Sequence, residues 1–127
     1  MLVPAALVAA LVTAIAELPP SAYEAMQAKA TEHVEITVLR VDISPGENAE
    51  SQKVELTALV DKIHRSEGKL TPGEVIPIVY TITERPRGWS GPGEIPLKAN
   101  GDKSVAYLNR DGDHFVPAAG VMSFSNF

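Results

Sequence analysis

The stretch HVEITVLRVDI, residues 33–43, decides the fold because its apolar and polar side chains alternate. The apolar side chains fall on one face of an extended strand: Val34, Ile36 and Val38. A second run of mixed character, KVELTALVDKIH at residues 53–64, follows after the polar segment SPGENAESQ. In this run Leu59 and Ile63 break strict alternation, which indicates a β-bulge or a coiled strand. The two runs predict a long β-hairpin with one buried face.

The remaining chain contains further short β-rich runs separated by turn signals. These runs are VIPIVYTIT at 75–83, KSVAYLNR at 103–110 and HFVPAAGVMSF at 114–124. Pro77 cannot donate to a ladder, which favours an edge position or a bulge. One short helix precedes the strands, where Ser21 and Glu24 have the spacing of a capping box. Five or so strands without a βαβ rhythm predict a mainly β fold, a small closed barrel.

Composition limits the class of protein. The 127 residues allow one domain, with 45% hydrophobic and 21% charged residues as in ordinary globular proteins. A net charge of −5 argues against a general nucleic-acid binder, which needs a basic face. The absence of cysteine excludes a disulfide framework and a cysteine nucleophile.

The first residues, MLVPAALVAALVTAIAEL, form an apolar run that carries no charge before Glu17. Ala14 and Ala16 fit the small-residue pattern of a secretory cleavage site, although no Lys or Arg precedes the run. An uncleaved membrane anchor and a buried helix of the domain are the alternatives, since the run is near the minimum length that spans a core of about 30 Å. We expect residues 1–18 to be a signal peptide or an apolar anchoring helix, 19–32 a short helix, and 33–127 the barrel. The chain is expected to be exported, to the periplasm or the outer face of a membrane.

The stretch LNRDGDHFVPAAG, residues 108–120, permits two interpretations. Three side chains match the first oxygen positions of a calcium loop: Asn109, Asp111 and Asp113. The match then fails, because His114 stands where the sharp-turn glycine is required and Gly120 where a glutamate is required. The alternative is a hairpin turn centred on Asp111-Gly112, a preferred two-residue turn. We favour the hairpin and predict no metal site.

Sequence motifs of catalysis are missing. His33, His64 and His114 could in principle bind zinc together, but they lack the local spacing of a metal motif. The chain has no Gly-x-Ser-x-Gly elbow and no phosphate-binding glycine loop. The sequence therefore predicts a protein that is not an enzyme and binds no cofactor.

The segment ERPRGWSGPGEIP, residues 84–96, is the best candidate for a contact site. It combines Arg85, Arg87 and Trp89, residue types that are enriched in binding hot spots, with a proline-rich backbone. The alternative is that Trp89 closes one end of the barrel while both arginines pair with acidic neighbours. We predict a partner-binding role for these three residues.

The motifs GKLTPGEVIPIVY and SVAYLNRDGDHFVPAAGVMSF resemble those of exported bacterial domains similar to the netrin-like and metalloproteinase-inhibitor OB-fold proteins. The resemblance covers about Val34 to Phe124. The positions that carry it are Leu70, Pro72, Gly73, Glu74, Val75, Tyr107, Leu108, Asn109 and Arg110. It implies a five-stranded OB-like barrel. It implies no protease inhibition, since the family inhibits through an amino-terminal cysteine and this chain has none.

The function expected from the sequence is a non-enzymatic protein-interaction module. Its partner would be a protein and not a nucleic acid, and a membrane complex that residues 1–18 help to reach is one setting in which that protein would be found. A glycan or small-ligand binder is the alternative, and a hydrolase whose site follows no motif is a third hypothesis.

Overall fold

The computed structural model describes residues 18–83, 95 and 98–125. Within these ranges the chain forms one α-helix, six strands and a short 3₁₀ helix at Gly120–Ser123. The α-helix and strands are α1 (Pro20–Lys29), β1 (Glu32–Pro45), β2 (Ser51–Ser66), β3 (Val75–Thr83), β4 (Lys103–Asp111), β5 (His114–Pro117) and β6 (Phe124–Ser125). The apolar run at 1–17 and the segment 84–94 lie outside the described residues.

The strands close into a barrel because β1 pairs with two neighbours. The order is β1-β2-β3-β5-β4, and β4 then returns to pair with β1. All of these pairings are antiparallel except that of β3 with β5, which is parallel at Ile78 and Phe115. The two-residue strand β6 adds to β4 outside this ring. The prediction of a mainly β fold with a closed five-stranded barrel and a short helix is confirmed.

Alternation along the strands builds the core. Val34, Ile36 and Val38 of β1 are completely buried, as their period of two predicts. The inward positions of the other barrel strands fill the same interior: Val54, Leu56, Ala58, Val60, Ile76, Ile78, Tyr80, Ala106, Leu108 and Phe115. Burial of each large aliphatic side chain stabilises the fold by roughly 1.5–3 kcal/mol.

Bulges let the long hairpin curve around this core. The β1–β2 register pairs His33 with Arg65 and Val34 with Ile63, so His64 is left over on β2. A second shift between Glu35 and Ile36 leaves out Asp61, and a third leaves out a residue of β1, Leu39. The predicted irregularity of the second strand is confirmed. Each extra residue increases the local twist and bends the strand.

Pro77 occupies neither of the two positions that its sequence predicts. It lies inside β3, in register with Thr57 and without a bulge in the β2–β3 ladder. The other side of β3 is bridged to β5 at a single pair, Ile78 with Phe115. A proline is tolerated in this strand because so little of that side takes part in a ladder.

The β4–β5 hairpin is present, but its turn is one residue later than Asp111-Gly112. Asp111 pairs with His114, so the two loop residues are Gly112 and Asp113. Gly112 has φ +65° whereas Asp113 does not have a positive φ. This distribution is typical of a type II′ turn, in which glycine takes the first central position.

The helix α1 begins without the predicted capping box. Its N-cap is Pro19 and Pro20 occupies the first turn, so Ser21 lies too far inside the helix for its side chain to cap it. The fixed φ of proline starts the helix instead. At the other end, the Arg65 guanidinium donates to the carbonyl oxygens of Gln27 and Ala30, each at 2.8 Å from Nη2. A cation at this position satisfies carbonyl groups that the helix leaves unpaired.

A buried carboxylate fastens the end of the barrel where β1 begins. Glu32 is completely buried, and its Oε1 accepts hydrogen bonds from Ser66 Oγ and, at 3.1 Å, from the Gly68 amide. Ser66 Oγ in turn accepts from the Leu70 amide at 2.9 Å. Glu32 Oε2 is buried without a hydrogen-bond partner. One carboxylate oxygen therefore joins β1 to the β2–β3 connection.

We expect Glu32→Ala to lower the free energy of unfolding by about 1–3 kcal/mol, because it leaves the Ser66 hydroxyl and the Gly68 amide unpaired. Glu32→Gln is the matched control: it keeps an acceptor oxygen in a side chain of the same shape, so its stability should stay within about 1 kcal/mol of wild type. Urea unfolding followed by tryptophan fluorescence measures both. Equal losses for the two variants would contradict a specific role for the acceptor oxygen.

Candidate interaction site

An open groove lies between the tip of the β1–β2 hairpin and the end of β3. Its volume is about 630 Å³, within the range of ligand and peptide sites. Its lining residues are Pro45, Gly46, Glu47, Asn48, Ser51, Lys53, Val79, Thr81 and Thr83. Three parts of the fold thus contribute to it: the β1–β2 connection, the start of β2 and the outward side chains of β3.

The hairpin tip is held by short-range hydrogen bonds. The Gly46 amide donates to the Ser51 carbonyl at 2.9 Å, and the Ser51 amide donates to the Asn48 carbonyl at 3.2 Å. The Asn48 side chain accepts from the Glu50 amide at 3.0 Å, an Asx-type turn. Ser51 is buried, and its Oγ lies 3.3 Å from both the amide nitrogen and the carbonyl oxygen of Asn48. These bonds fix one wall of the groove.

The other wall is the outward row of β3. Ser51 pairs with Thr83 and Lys53 pairs with Thr81 across the β2–β3 ladder. The row therefore offers hydroxyl groups beside the flexible ammonium of Lys53, and the apolar Val79 lies at its inner end. Among the lining residues Lys53 and Glu47 are the charged groups, so the groove has no net charge.

Arg85, Arg87 and Trp89, the predicted contact residues, lie outside the described residues. The chain reaches them directly from the groove, since Thr83 lines it and Arg85 is two residues further along. Their role in binding stays a prediction.

Two histidines and a tyrosine stack on the outer face of the barrel. The ring centroids of His33 and His64 are 4.6 Å apart, and those of His33 and Tyr107 are 4.3 Å apart. His64 Nε2 lies 2.6 Å from Glu35 Oε2. Strands β1, β2 and β4 each contribute to this stack, so it ties together the three strands at the closure of the barrel.

The surroundings of His33 disfavour the charged form of its imidazole. Burial lowers its pKa from the ordinary value of 6.5, and the neighbouring His64 and Arg65 lower it further. Glu35 acts in the opposite direction without overcoming these effects. The folded protein therefore favours the neutral imidazole in the centre of the stack.

Beside the stack, a polar row continues along the same face. Thr37 donates to Asp61 Oδ2 at 2.6 Å and accepts from Lys103 Nζ at 2.9 Å. Asp61 and Lys103 lie 3.9 Å apart, and both side chains are substantially exposed. An exposed pair of this kind adds little to stability.

The loop that resembles a calcium site is used differently. Asn109 Oδ1 accepts a hydrogen bond from the Thr31 amide at 3.1 Å, on the side of β4 that faces β1. His114 lies between two carboxylates, 3.1 Å from Asp113 and 3.4 Å from Asp111. The hydrogen bond from His114 lowers the pKa of Asp113. The three oxygen-bearing side chains therefore do not face one point.

The histidines do not converge either. His33 and His64 meet in the stack, whereas His114 lies on β5 between its two aspartates. Across the described ranges, no group of three or more His, Asp or Glu side chains is arranged so that it could hold a metal ion.

Sequence reasoning missed both the stack and the groove. The contact between His33 and Tyr107 follows from the β1–β4 register, which pairs the two residues directly and cannot be read from the local sequence. His64 reaches the stack because a bulge leaves it over on β2, and no local pattern gives that shift. The groove exists because the β1–β2 hairpin extends beyond the barrel. The alternation of apolar and polar residues does not predict how far the hairpin extends.

The depressed pKa of His33 predicts a pH dependence of stability. Just below pH 6.5 the unfolded chain binds more protons at this residue than the folded chain does, so stability falls as the pH falls through this window. His33→Phe keeps a ring in the stack and should flatten that part of the curve. Tyr107→Phe should keep the wild-type slope. Urea midpoints measured between about pH 5 and pH 8 provide the test, and an unchanged slope in His33→Phe would refute it.

Gly46→Ala should damage the hairpin tip. A Cβ at this position would collide with Ser51 Oγ and lie 2.8 Å from the Ser51 carbonyl carbon, which is backbone and cannot turn away. We expect a loss of about 1–3 kcal/mol and faster hydrogen exchange of the Ser51 amide. Glu47→Ala, next in the same connection, is the control and should change neither quantity. Wild-type exchange in Gly46→Ala would contradict the close approach.

Comparison of the chain with protein-family models, with curated proteins and with solved structures found no match. None of the helices in the described part of the chain is long and apolar enough to cross a bilayer.

Proposed function

We propose that this chain is an exported, non-enzymatic protein-interaction module whose partner docks in the groove between the hairpin tip and β3. The observation that carries the proposal is the groove itself, whose lining includes Thr83, two positions before Arg85 in the sequence. Arg85, Arg87 and Trp89 would extend the contact, with Trp89 as the anchor. Residues 1–18 would direct the chain out of the cytoplasm and, if retained, hold it against a membrane complex as an accessory subunit.

The barrel belongs, in this proposal, to the OB-like group. The strand order β1-β2-β3-β5-β4-β1, with β3 and β5 parallel, supports that assignment, as does the resemblance to netrin-like domains. OB-folds bind their ligands on the face of strands 2 and 3 and on the loop between strands 1 and 2. The groove is lined by those same elements. The topology therefore supports this surface as the binding face.

A protein partner suits the groove better than a nucleic acid does. The chain carries a net charge of −5, and the lining offers Lys53 balanced by Glu47 rather than a basic track. Val79 and the hydroxyl row of β3 provide the mixture of apolar and hydrogen-bonding groups that is usual at protein interfaces. Among the described lining residues Glu47 is the one carboxylate and Lys53 the one cation.

A glycan or small ligand is the second candidate. The hydroxyl and amide side chains along the lining favour it, since Asn48, Ser51, Thr81 and Thr83 resemble the polar lining of a sugar site. It differs from the first candidate in one respect: a sugar would bind the purified chain alone and change its tryptophan fluorescence.

The test is co-purification from native membranes after chemical cross-linking. Thr81→Trp fills the groove and should reduce recovery of the cross-linked partner at least tenfold, since it removes the docking volume. Trp89→Ala should reduce it as well, because a hot-spot tryptophan contributes about 2 kcal/mol or more.

Val75→Trp is the matched control, because it places the same large ring on the same strand outside the groove. It should leave recovery unchanged. Equal recovery from wild type and Thr81→Trp would refute the groove as the docking site, and a fluorescence response to soluble glycans would favour the second candidate.

A further inference from the structure

The second half of β1 has an open side. Strand β4 pairs with β1 from Glu32 to Thr37, and the last bonds across this boundary join Val38 to Asp102 and Gly101. From Leu39 to Pro45 the described residues supply β1 with one neighbour, β2. A strand paired on one side presents a row of backbone N–H and C=O groups on the other, which is a template for another strand.

Apolar side chains are exposed along this free edge. Leu39 is 40% exposed and Ile43 is 45% exposed, and they flank the half-buried Val41. Single exposed aliphatic residues are ordinary on protein surfaces. Two of them beside an unpaired strand edge are less ordinary, because natural edges are usually protected by like charges or by a covering element.

The sequence of the edge is complementary to itself. When two antiparallel copies are centred on Val41, Val41 faces its own symmetry mate and Arg40 faces Asp42, whereas Leu39, the extra residue of the bulge, has no regular cross-strand partner. Each of the two charges therefore meets its opposite. In the single chain Arg40 and Asp42 form an exposed ion pair at 2.9 Å, with side-chain exposures of 71% and 46%, so both groups are accessible to a partner.

We propose that two copies of this chain pair through Leu39–Ile43, forming a twofold-symmetric dimer in which the hairpins join into a continuous antiparallel sheet. The interface is isologous, so the same edge serves in both copies. Two Arg40–Asp42 pairs flank a central Val41 pair, and opposite charges that face each other across antiparallel strands stabilise the pairing.

The surrounding structure limits the length of this pairing. The bulge at Leu39 begins the free edge, and Pro45, which has no N–H group, ends it. An interface of about five residues per strand is small, so the dimer is a weak one that forms at micromolar concentrations or above.

Charge exchange tests the proposal. The full chain is studied in detergent by sedimentation velocity at about 10–300 µM, concentrations suited to a weak interface. Wild type should show a monomer–dimer equilibrium. Arg40→Asp places two aspartates in the segment and Asp42→Arg places two arginines there, so each variant alone should associate at least tenfold more weakly. Mixing the two variants restores opposite charges at every position and should give a one-to-one heterodimer.

The mixture distinguishes this interface from contacts through residues 1–18, since that segment is identical in all variants. A wild type that is monomeric throughout, single variants that associate as wild type does, or a mixture without heterodimer would each overturn the proposal.

Cysteine cross-linking checks the register, because the chain has no cysteine of its own. Val41→Cys should form a disulfide-linked dimer under mild oxidation. Val75, which is 52% exposed on β3, provides the control, and Val75→Cys should not form such a dimer. Equal cross-linking of the two variants would count against a twofold axis at Val41.

Discussion

The structure depends on one strand that forms two ladders. Over Glu32 to Thr37, β1 pairs with β2 on one side and with β4 on the other, and this double pairing turns an open sheet into a barrel. The completely buried side chains Val34, Ile36 and Val38 lie in or next to this doubly paired part. Hydrogen bonding and burial therefore reinforce each other over the same residues, and the closure of the barrel depends on them.

Beyond Val38 the same strand has a different role. It continues for seven residues, to Pro45, paired with β2 alone. This overhang carries the tip that forms one wall of the groove, and its unpaired side is the free edge. Both proposed interaction surfaces thus arise from a hairpin that is longer than the barrel needs. The bulge at Leu39 marks the boundary, because it bends the strand where the second ladder stops.

Local patterns predicted the parts of the fold that local rules govern. The alternation in β1 identified the buried face of that strand, where Val34, Ile36 and Val38 are completely buried. The β4–β5 turn was misplaced by one residue because register, rather than the preference of Asp-Gly, decides which two residues form the loop. The capping box was wrong because Pro20 starts the helix earlier than Ser21 does.

The candidate sites could not be predicted to the same extent, because they depend on contacts between distant strands. His33 and Tyr107 are 74 positions apart in the sequence and directly opposite in the β1–β4 ladder. The groove combines residues near position 48 with residues near position 81, which only the β2–β3 register brings together. Sequence reasoning placed its binding prediction on the segment that follows β3 in the sequence, because an irregular stretch rich in Arg and Trp is a frequent contact surface.

The overhang, residues 39–45 of β1, exposes apolar side chains at a cost in free energy, although closure of the barrel does not require this overhang. Leu39 and Ile43 are 40% and 45% exposed, and within the described part of the chain no second strand pairs with the free edge. Opposite charges at Arg40 and Asp42 do not protect such an edge as a row of like charges would, since they attract an identical strand instead of repelling it. The edge is therefore better suited to recognition than to protection, and its symmetry about Val41 makes a second copy of the chain its best-matched partner.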